Sequence, residues 1–272
     1  MALSPSEFAD APVSGRTVLA IDVLRATSAA VAACAAGCAL IVPVPDEATA
    51  LARRDGGGVL LAGERGGHPI PGFDLGNSPD EFTRDRVEGR TVVLTTTNGT
   101  AAMMRAAEGA AAALAALTNL SAAAGWAREQ GRDVTVLCAG DNGAFSLEDG
   151  VCAGLLVTAL AASDVAGGAT TAVALGRHYA GRLGRLATDS LWARRLSHQA
   201  READLSACLR QDVSVAVPVF TGAGFAAAGP DPALAAGGRG RRGRSGCSDP
   251  PASRIACRAS WRATPGTSPT ST

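Results

Sequence analysis

The chain has 272 residues, 47% hydrophobic and only 4% aromatic, with 25 basic and 25 acidic residues that cancel. That is enough for one large α/β unit or two small ones. Every basic residue is arginine, so mechanisms that need a lysine, as P-loop cation or Schiff-base amine, are excluded. Residues 1–230 carry 18 arginines against 23 acids, a mildly acidic body for which no nucleic-acid partner is expected. Seven cysteines at irregular spacing lack a C-x-x-C pair. Cys34, Cys38, Cys138, Cys152 and Cys208 read as buried free thiols of a reducing compartment. The N-terminus carries Glu7 and Asp10 with no basic n-region, and Gly37 interrupts the small-residue run from Ala29 to Val42. Neither a leader nor a membrane span is expected, and the location expected is cytoplasmic.

In chain order, apolar runs predict strands at Val18–Ile21, Leu40–Val44, Val59–Ala62, Val92–Thr95, Ala112–Leu117, Val134–Cys138 and Val213–Val219. Alanine-rich stretches between them predict helices at Thr27–Ala36, Asp46–Arg54, Thr100–Glu108, Leu120–Glu129 and Glu148–Ala161. Two more follow around Thr170–Arg182 and Arg185–Leu196. Gly37, Gly109 and Gly131 stand where a glycine closes a helix. Short apolar strands alternating with helices indicate an α/β fold whose sheet is mostly parallel and covered on both faces.

The run Thr17-Val18-Leu19-Ala20-Ile21-Asp22, its helix and Gly37 are echoed about 72 residues later by Thr91-Val92-Val93-Leu94 and Gly109. The echo reads as two related, interleaved halves within a domain spanning residues 1–229. After Pro230 the chain turns to Arg, Gly, Ser and Pro without hydrophobic periodicity. Such composition buries too little to offset its ordering entropy, so residues 230–272 are expected to be disordered.

In open parallel sheets ligands bind beyond the carboxyl ends of the strands. Those ends hold Asp22 and Arg25, then Glu64 and Arg65, then Thr95-Thr96-Thr97-Asn98-Gly99-Thr100, and finally Gly140, Asp141 and Asn142. Glu148 and Asp149 open the next helix. Carboxylates, arginines and amides without histidine suit a hard divalent cation beside an anion held by arginine and backbone N–H. Gly99, at the start of a helix, lets a ligand approach the backbone where donors and dipole favour an anion. Asp22 reads either as a ligand or as a cap for the helix near Thr27, and Glu148-Asp149 either as ligands or as acids favoured by a helix start. Arg25, between an apolar strand and an apolar helix, needs a partner. The turn-rich, charged loop from Gly63 to Pro79 reads as a lid or binding loop that includes His68. The motifs C-x5-R, D-x-D-x-T, G-x-S-x-G, Walker A and H-E-x-x-H are all missing.

Five segments in register carry a resemblance. Ile21-Asp22-Val23-Leu24-Arg25-Ala26-Thr27-Ser28, Gly63-Glu64-Arg65-Gly66-Gly67, Gly72-Phe73-Asp74-Leu75-Gly76-Asn77-Ser78-Pro79, Thr95–Thr100 and Phe145-Ser146-Leu147-Glu148-Asp149 resemble the 2-phosphosulfolactate phosphatase family. The match runs from about residue 17 to 220 and closes on Asp212–Pro218. The resemblance implies a Mg²⁺-dependent phosphoric monoester hydrolase of α/β fold. Its small anionic substrate would be 2-phospho-3-sulfolactate, giving 3-sulfolactate and phosphate, a step of coenzyme M biosynthesis. A same-fold phosphatase for another small phosphorylated acid and a non-catalytic phospho-metabolite-binding domain are the alternatives. On the phosphatase reading Asp22, Glu64 and either Glu148 or Asp149 hold Mg²⁺. Arg25 and the N–H groups near Thr27 or Gly99 hold the phosphate. Thr97, Asn98 and Arg65 meet the remaining anionic groups, with Asn77 a further substrate contact. Asp22, Arg25, Glu64 and Asn98 form the catalytic set; direct water attack and an aspartyl-phosphate through Asp22 both stay open. A homodimer is expected on general grounds.

Overall fold

The computed structural model describes residues 1–54, 58–162, 164–165 and 167–229. Residues 230–272, the expected tail, lie outside the described residues, and Met1–Gly229 make up one compact unit. The strands are β1 Thr17–Ile21, β2 Leu40–Pro43, β3 Val59–Arg65, β4 His68–Pro69, β5 Thr91–Thr95, β6 Ala111–Ala115, β7 Val134–Cys138, β8 Pro218–Phe220 and β9 Phe225–Ala227. The helices are α1 Ala26–Ala35, α2 Glu47–Leu51, α3 Arg84–Val87, α4 Gly99–Ala106, α5 Leu120–Glu129 and α6 Leu147–Leu160. They continue as α7 Gly168–Tyr179, α8 Leu186–Asp189, α9 Leu191–His198 and α10 Glu202–Cys208.

The strands form one sheet in the order β4-β3-β5-β2-β9-β8-β6-β1-β7. Two parallel triplets, β3-β5-β2 and β6-β1-β7, flank the antiparallel hairpin β8–β9. The hairpin is antiparallel to both neighbours, so the triplets run in opposite senses. The fold is α/β, but the expected mostly parallel sheet is corrected to a mixed one. The reason is local. Apolar strand–helix alternation signals each parallel triplet, whereas the joining hairpin comes from a C-terminal stretch too short to show a period. Of the predicted strand Val213–Val219 only the end is β8. Asp212 and Ser214 instead donate their N–H to the carbonyls of Leu117 and Thr118, at 3.0 and 2.9 Å.

The order is palindromic about the hairpin. The stretch β1-α1-β2-α2-β3 and the stretch β5-α4-β6-α5-β7 repeat one sequence of elements, and each gives its first strand to the middle of the other's triplet. Side chains alternate accordingly. Val18 and Ala20 of β1, Leu114 of β6, and Ala62, Val92 and Leu94 of β3 and β5 all pack on one core with α1 and α4. Leu19 and Ile21 face the opposite way, onto α5 and α6, while Val42, Leu61 and Val93 cover Ala50 of α2. Both triplets therefore close on α1 and α4. On the outer side α6 and α7 approach closely because both carry glycine. A Cβ at Gly154 would lie 1.7 Å from the Ala172 carbonyl oxygen.

Other boundaries differ from expectation for identifiable reasons. The predicted helix Arg185–Leu196 is broken at Ser190, whose hydroxyl accepts the Ala193 N–H at 3.1 Å and starts α9 afresh. Gly37 and Gly131 take left-handed backbone conformations, but Gly109 does not. Gly109 is small because a Cβ would meet Val18 Cγ2 at 2.6 Å. Four elements escaped the apolar pattern, since β4, β9, α3 and α10 are short or mostly polar. Cys34, Cys38, Cys138, Cys152 and Cys208 are all buried and unpaired. No helix among the described residues is long and apolar enough to cross a membrane.

Candidate active site

The carboxyl end of β1 and the start of α4 meet. Asp22 follows β1, and Gly99 opens α4 after β5; a Cβ at Gly99 would sit 2.4 Å from both Asp22 Oδ2 and the Ala26 methyl. No larger residue fits there. The N-termini of α1 and α4 thus adjoin one carboxylate, bringing two sets of backbone donors and two positive dipole ends together. Asp22 does cap its helix, accepting the Ala26 N–H at 3.2 Å, while Thr27 Oγ1 donates to the Asp22 carbonyl at 2.8 Å and closes the turn. Ligand and cap are therefore not exclusive readings.

Three further carboxylates are buried around this point. Glu148 and Asp149 lie in the first turn of α6, and Glu64 is near the end of β3. Asp149 is fully engaged: Oδ1 accepts the Val23 N–H at 2.8 Å and Oδ2 the Gly140 N–H at 3.0 Å, pinning the β1 loop to the β7 loop. Glu64 is engaged too, accepting the Thr97 N–H and the Gly67 N–H, each at 2.7 Å. Glu148 differs, because its Oε2 is buried without a hydrogen-bond partner. Burial pushes the Asp22 carboxyl up to about 7, with the charges of Glu64 and Glu148 adding, against the Ala26 N–H and Arg25. Burial likewise raises Glu148, helped by Asp141, and raises Asp149, helped by Asp22 and Glu148. Among the described residues, no three acidic, cysteine or histidine side chains converge closely enough to enclose a metal ion.

Arg25 has the partner that its position demanded. Its Nη1 pairs with Asp204 of α10, and Nη2 donates to the Gly67 carbonyl at 2.9 Å. Asp204 also accepts the Ser78 hydroxyl. Arg65 sits beside Glu64 and is spread over three acceptors: the Glu64 carbonyl, Thr95 Oγ1 and Glu47. Thr97 is exposed and donates its hydroxyl to Glu64 at 3.2 Å. Asn98 precedes α4 and accepts the Asn142 N–H at 3.0 Å, joining the β5 loop to the β7 loop. Asn77 is buried with an unpartnered Oδ1, one residue from Ser78 and so beside the Arg25–Asp204 pair. His68 is exposed on β4, paired in register with Arg65.

One element of the site, within the helix expected around Arg185–Leu196, carries little sign of that role in its sequence. Helix α9 lies across three strand-end loops. Trp192 Nε1 donates to the Leu24 carbonyl at 2.8 Å, Arg195 Nη1 pairs with Asp141 at 2.9 Å, and Gln199, just past the helix, donates to the Gly66 carbonyl at 3.3 Å. Their spacing puts the three on one helix face. The signal was available in the polar and aromatic residues at 192, 195 and 199, but nothing in the sequence says which loops such a face will meet.

The family model for 2-phosphosulpholactate phosphatase matches residues 2–223. The chain belongs to that family. Similar proteins include one from Thermotoga petrophila, named probable 2-phosphosulfolactate phosphatase, which is 38% identical over 79% of this chain and 93% of its own length. Proteins of the same name from Symbiobacterium thermophilum and Thermus thermophilus are 39% and 42% identical, over 77% and 75% of this chain and 93% and 88% of theirs. As a member of the 2-phosphosulpholactate phosphatase family the chain is an enzyme, a phosphoric monoester hydrolase. The matched span takes in all the elements of the site, from Asp22 to Asp204.

Proposed function

We propose that this phosphatase hydrolyses 2-phospho-3-sulfolactate to 3-sulfolactate and phosphate with the help of Mg²⁺. The observation that carries the reading is the meeting of two helix N-termini over a buried carboxylate. An anion is favoured at the α1 and α4 starts, and Asp22 stands against both. The relatives' names supply the substrate. The donor set fits magnesium in its usual mode, one or two carboxylates with the remaining positions left to water and substrate oxygens. Asp22 and Glu148 are the residues to hold it: the Glu148 charge adds to the proton affinity of buried Asp22, and Glu148 Oε2 has no other partner. Asp149 and Glu64, whose oxygens take backbone N–H groups, act as braces for the loops. Bound Mg²⁺ would neutralise phosphoryl oxygens and make a water more acidic.

The chain's own groups do the positioning. The α4 start receives the phosphoryl oxygens, because the Ala26 and Thr27 amides of α1 are held by Asp22, and Asn98 keeps the α4 start against the β7 loop. Arg25, buried and held by Asp204, contributes a fixed positive charge beneath the site. Phosphate-monoester hydrolysis is very slow unaided, so fixed charges and dipoles aimed at the transferring group account for most of the acceleration required. The test is phosphate release from 2-phospho-3-sulfolactate, with Mg²⁺ and with EDTA, beside phosphoglycolate and p-nitrophenyl phosphate. The reading predicts a Mg²⁺-dependent preference for the sulfonated ester. Equal turnover of the three esters would assign another small phosphorylated acid, and no release by folded protein would refute the proposal.

A further inference from the structure

Three arginines reach the loops around the site, and their commitments differ. Arg25 is buried with Nη1 on Asp204 and Nη2 on the Gly67 carbonyl. All three nitrogens of Arg65 have acceptors. Arg195 is bound through Nη1 alone, to Asp141, and its side chain is 55% exposed against 19% for that partner. Two of its guanidinium nitrogens have no protein acceptor among the described residues. Its guanidinium carbon lies 5.9 Å from the centroid of the Trp192 ring, and Trp192 is itself fixed on Leu24. Arg195 is therefore a held but under-used cation.

Its place matters as much as its valence. Asp141 contributes to the field on Glu148, and Asn142, next to Asp141, bonds Asn98 at the start of α4. Arg195 thus stands on the rim of the buried acidic centre, on the side of the β7 loop. A substrate with two or three anionic groups meets repulsion from Asp22, Glu148, Asp149 and Glu64. A cation at the rim is needed to hold the end of the substrate that the helix N-termini do not. A guanidinium suits a sulfonate, which stays ionised and offers three acceptor oxygens.

We propose that Arg195, carried by α9 and steered by Trp192, forms a second anion subsite that takes the sulfonate end of the substrate, exchanging Asp141 for it. This rests on the substrate proposed above. Asp141 is then a placeholder that keeps the arginine ready and competes with the ligand.

Calorimetric titration of 3-sulfolactate and of inorganic phosphate into wild type, R195Q, R195K and D141N, with Mg²⁺ present, tests this. R195Q should weaken 3-sulfolactate about tenfold to a hundredfold, the range for losing a charge-assisted pair, and weaken phosphate much less. R195K should recover part of the loss. D141N breaks the same ion pair but spares the cation, so it should bind 3-sulfolactate at least as tightly as wild type. Equal weakening by R195Q and D141N would show that the ion pair merely supports the fold, and would overturn the subsite. R195Q binding 3-sulfolactate like wild type would overturn it alone, leaving the phosphatase reading intact. Wild type that binds no 3-sulfolactate would overturn both.

Discussion

At the scale of single residues, Asp22 combines three conditions that rarely coincide: burial, two acidic neighbours, and a backbone donor of a helix start on one oxygen. Its carboxyl, pushed up to about 7, keeps a proton in the native state that it has lost in the unfolded chain. Between roughly pH 4 and pH 7 the native state therefore binds more protons, and stability falls as pH rises through that window. Chemical denaturation in EDTA across these pH values should show the decline. Asp22→Asn should reduce its slope without abolishing it, because Glu148 and Asp149 are raised in the same direction. The same variant should cost phosphate release about a hundredfold to a thousandfold, comparable to losing one key oxyanion contact. Gly99 gives an independent test. Gly99→Ala places a methyl against Asp22 and Ala26, so α4 must withdraw. Activity should drop well below wild type while the far-UV circular dichroism stays unchanged. A fully active Gly99→Ala protein would separate the helix starts from the chemistry.

At the scale of elements, the strand ends were legible and their supports were not. Asp22, Glu64 and Asn98 stand out in sequence because each is a polar residue at or just beyond the end of an apolar strand run. Asp204 does not, since one acid in the short helix α10 looks like any solvated charge. Only burial together with Arg25 reveals its role. Likewise α9 reads as an ordinary amphipathic helix, and its crossing of three loops depends on contacts far apart in the chain. Asp204→Ala should be severe, because it strands a buried guanidinium. A cost of about 3–5 kcal/mol is expected for breaking such a pair from one side. Asp204→Asn, which keeps an acceptor for Arg25 and for Ser78, should recover a measurable part of that loss in thermal denaturation. Equal, small effects from both substitutions would mean that Arg25 finds another partner.

For the whole molecule, the palindromic strand order has a consequence for how the chain assembles. Neither stretch, 17–65 or 91–138, can complete its triplet alone, since the centre of each is supplied by the other. The echo visible in sequence is an echo of element order; the exchange of first strands leaves no trace in composition or periodicity. Such pairing is dominated by partners distant in sequence, which slows folding and couples it. Amides of β1 and β5 should exchange with solvent only through a common opening, with equal free energies in native-state hydrogen exchange. Clearly unequal protection would show that one triplet opens before the other. The interlock also makes the active site a product of complete assembly: Asp22 comes with one stretch and Gly99 with the other. A half-folded chain therefore has no partial activity to offer, and catalysis itself reports that both strands have been handed across.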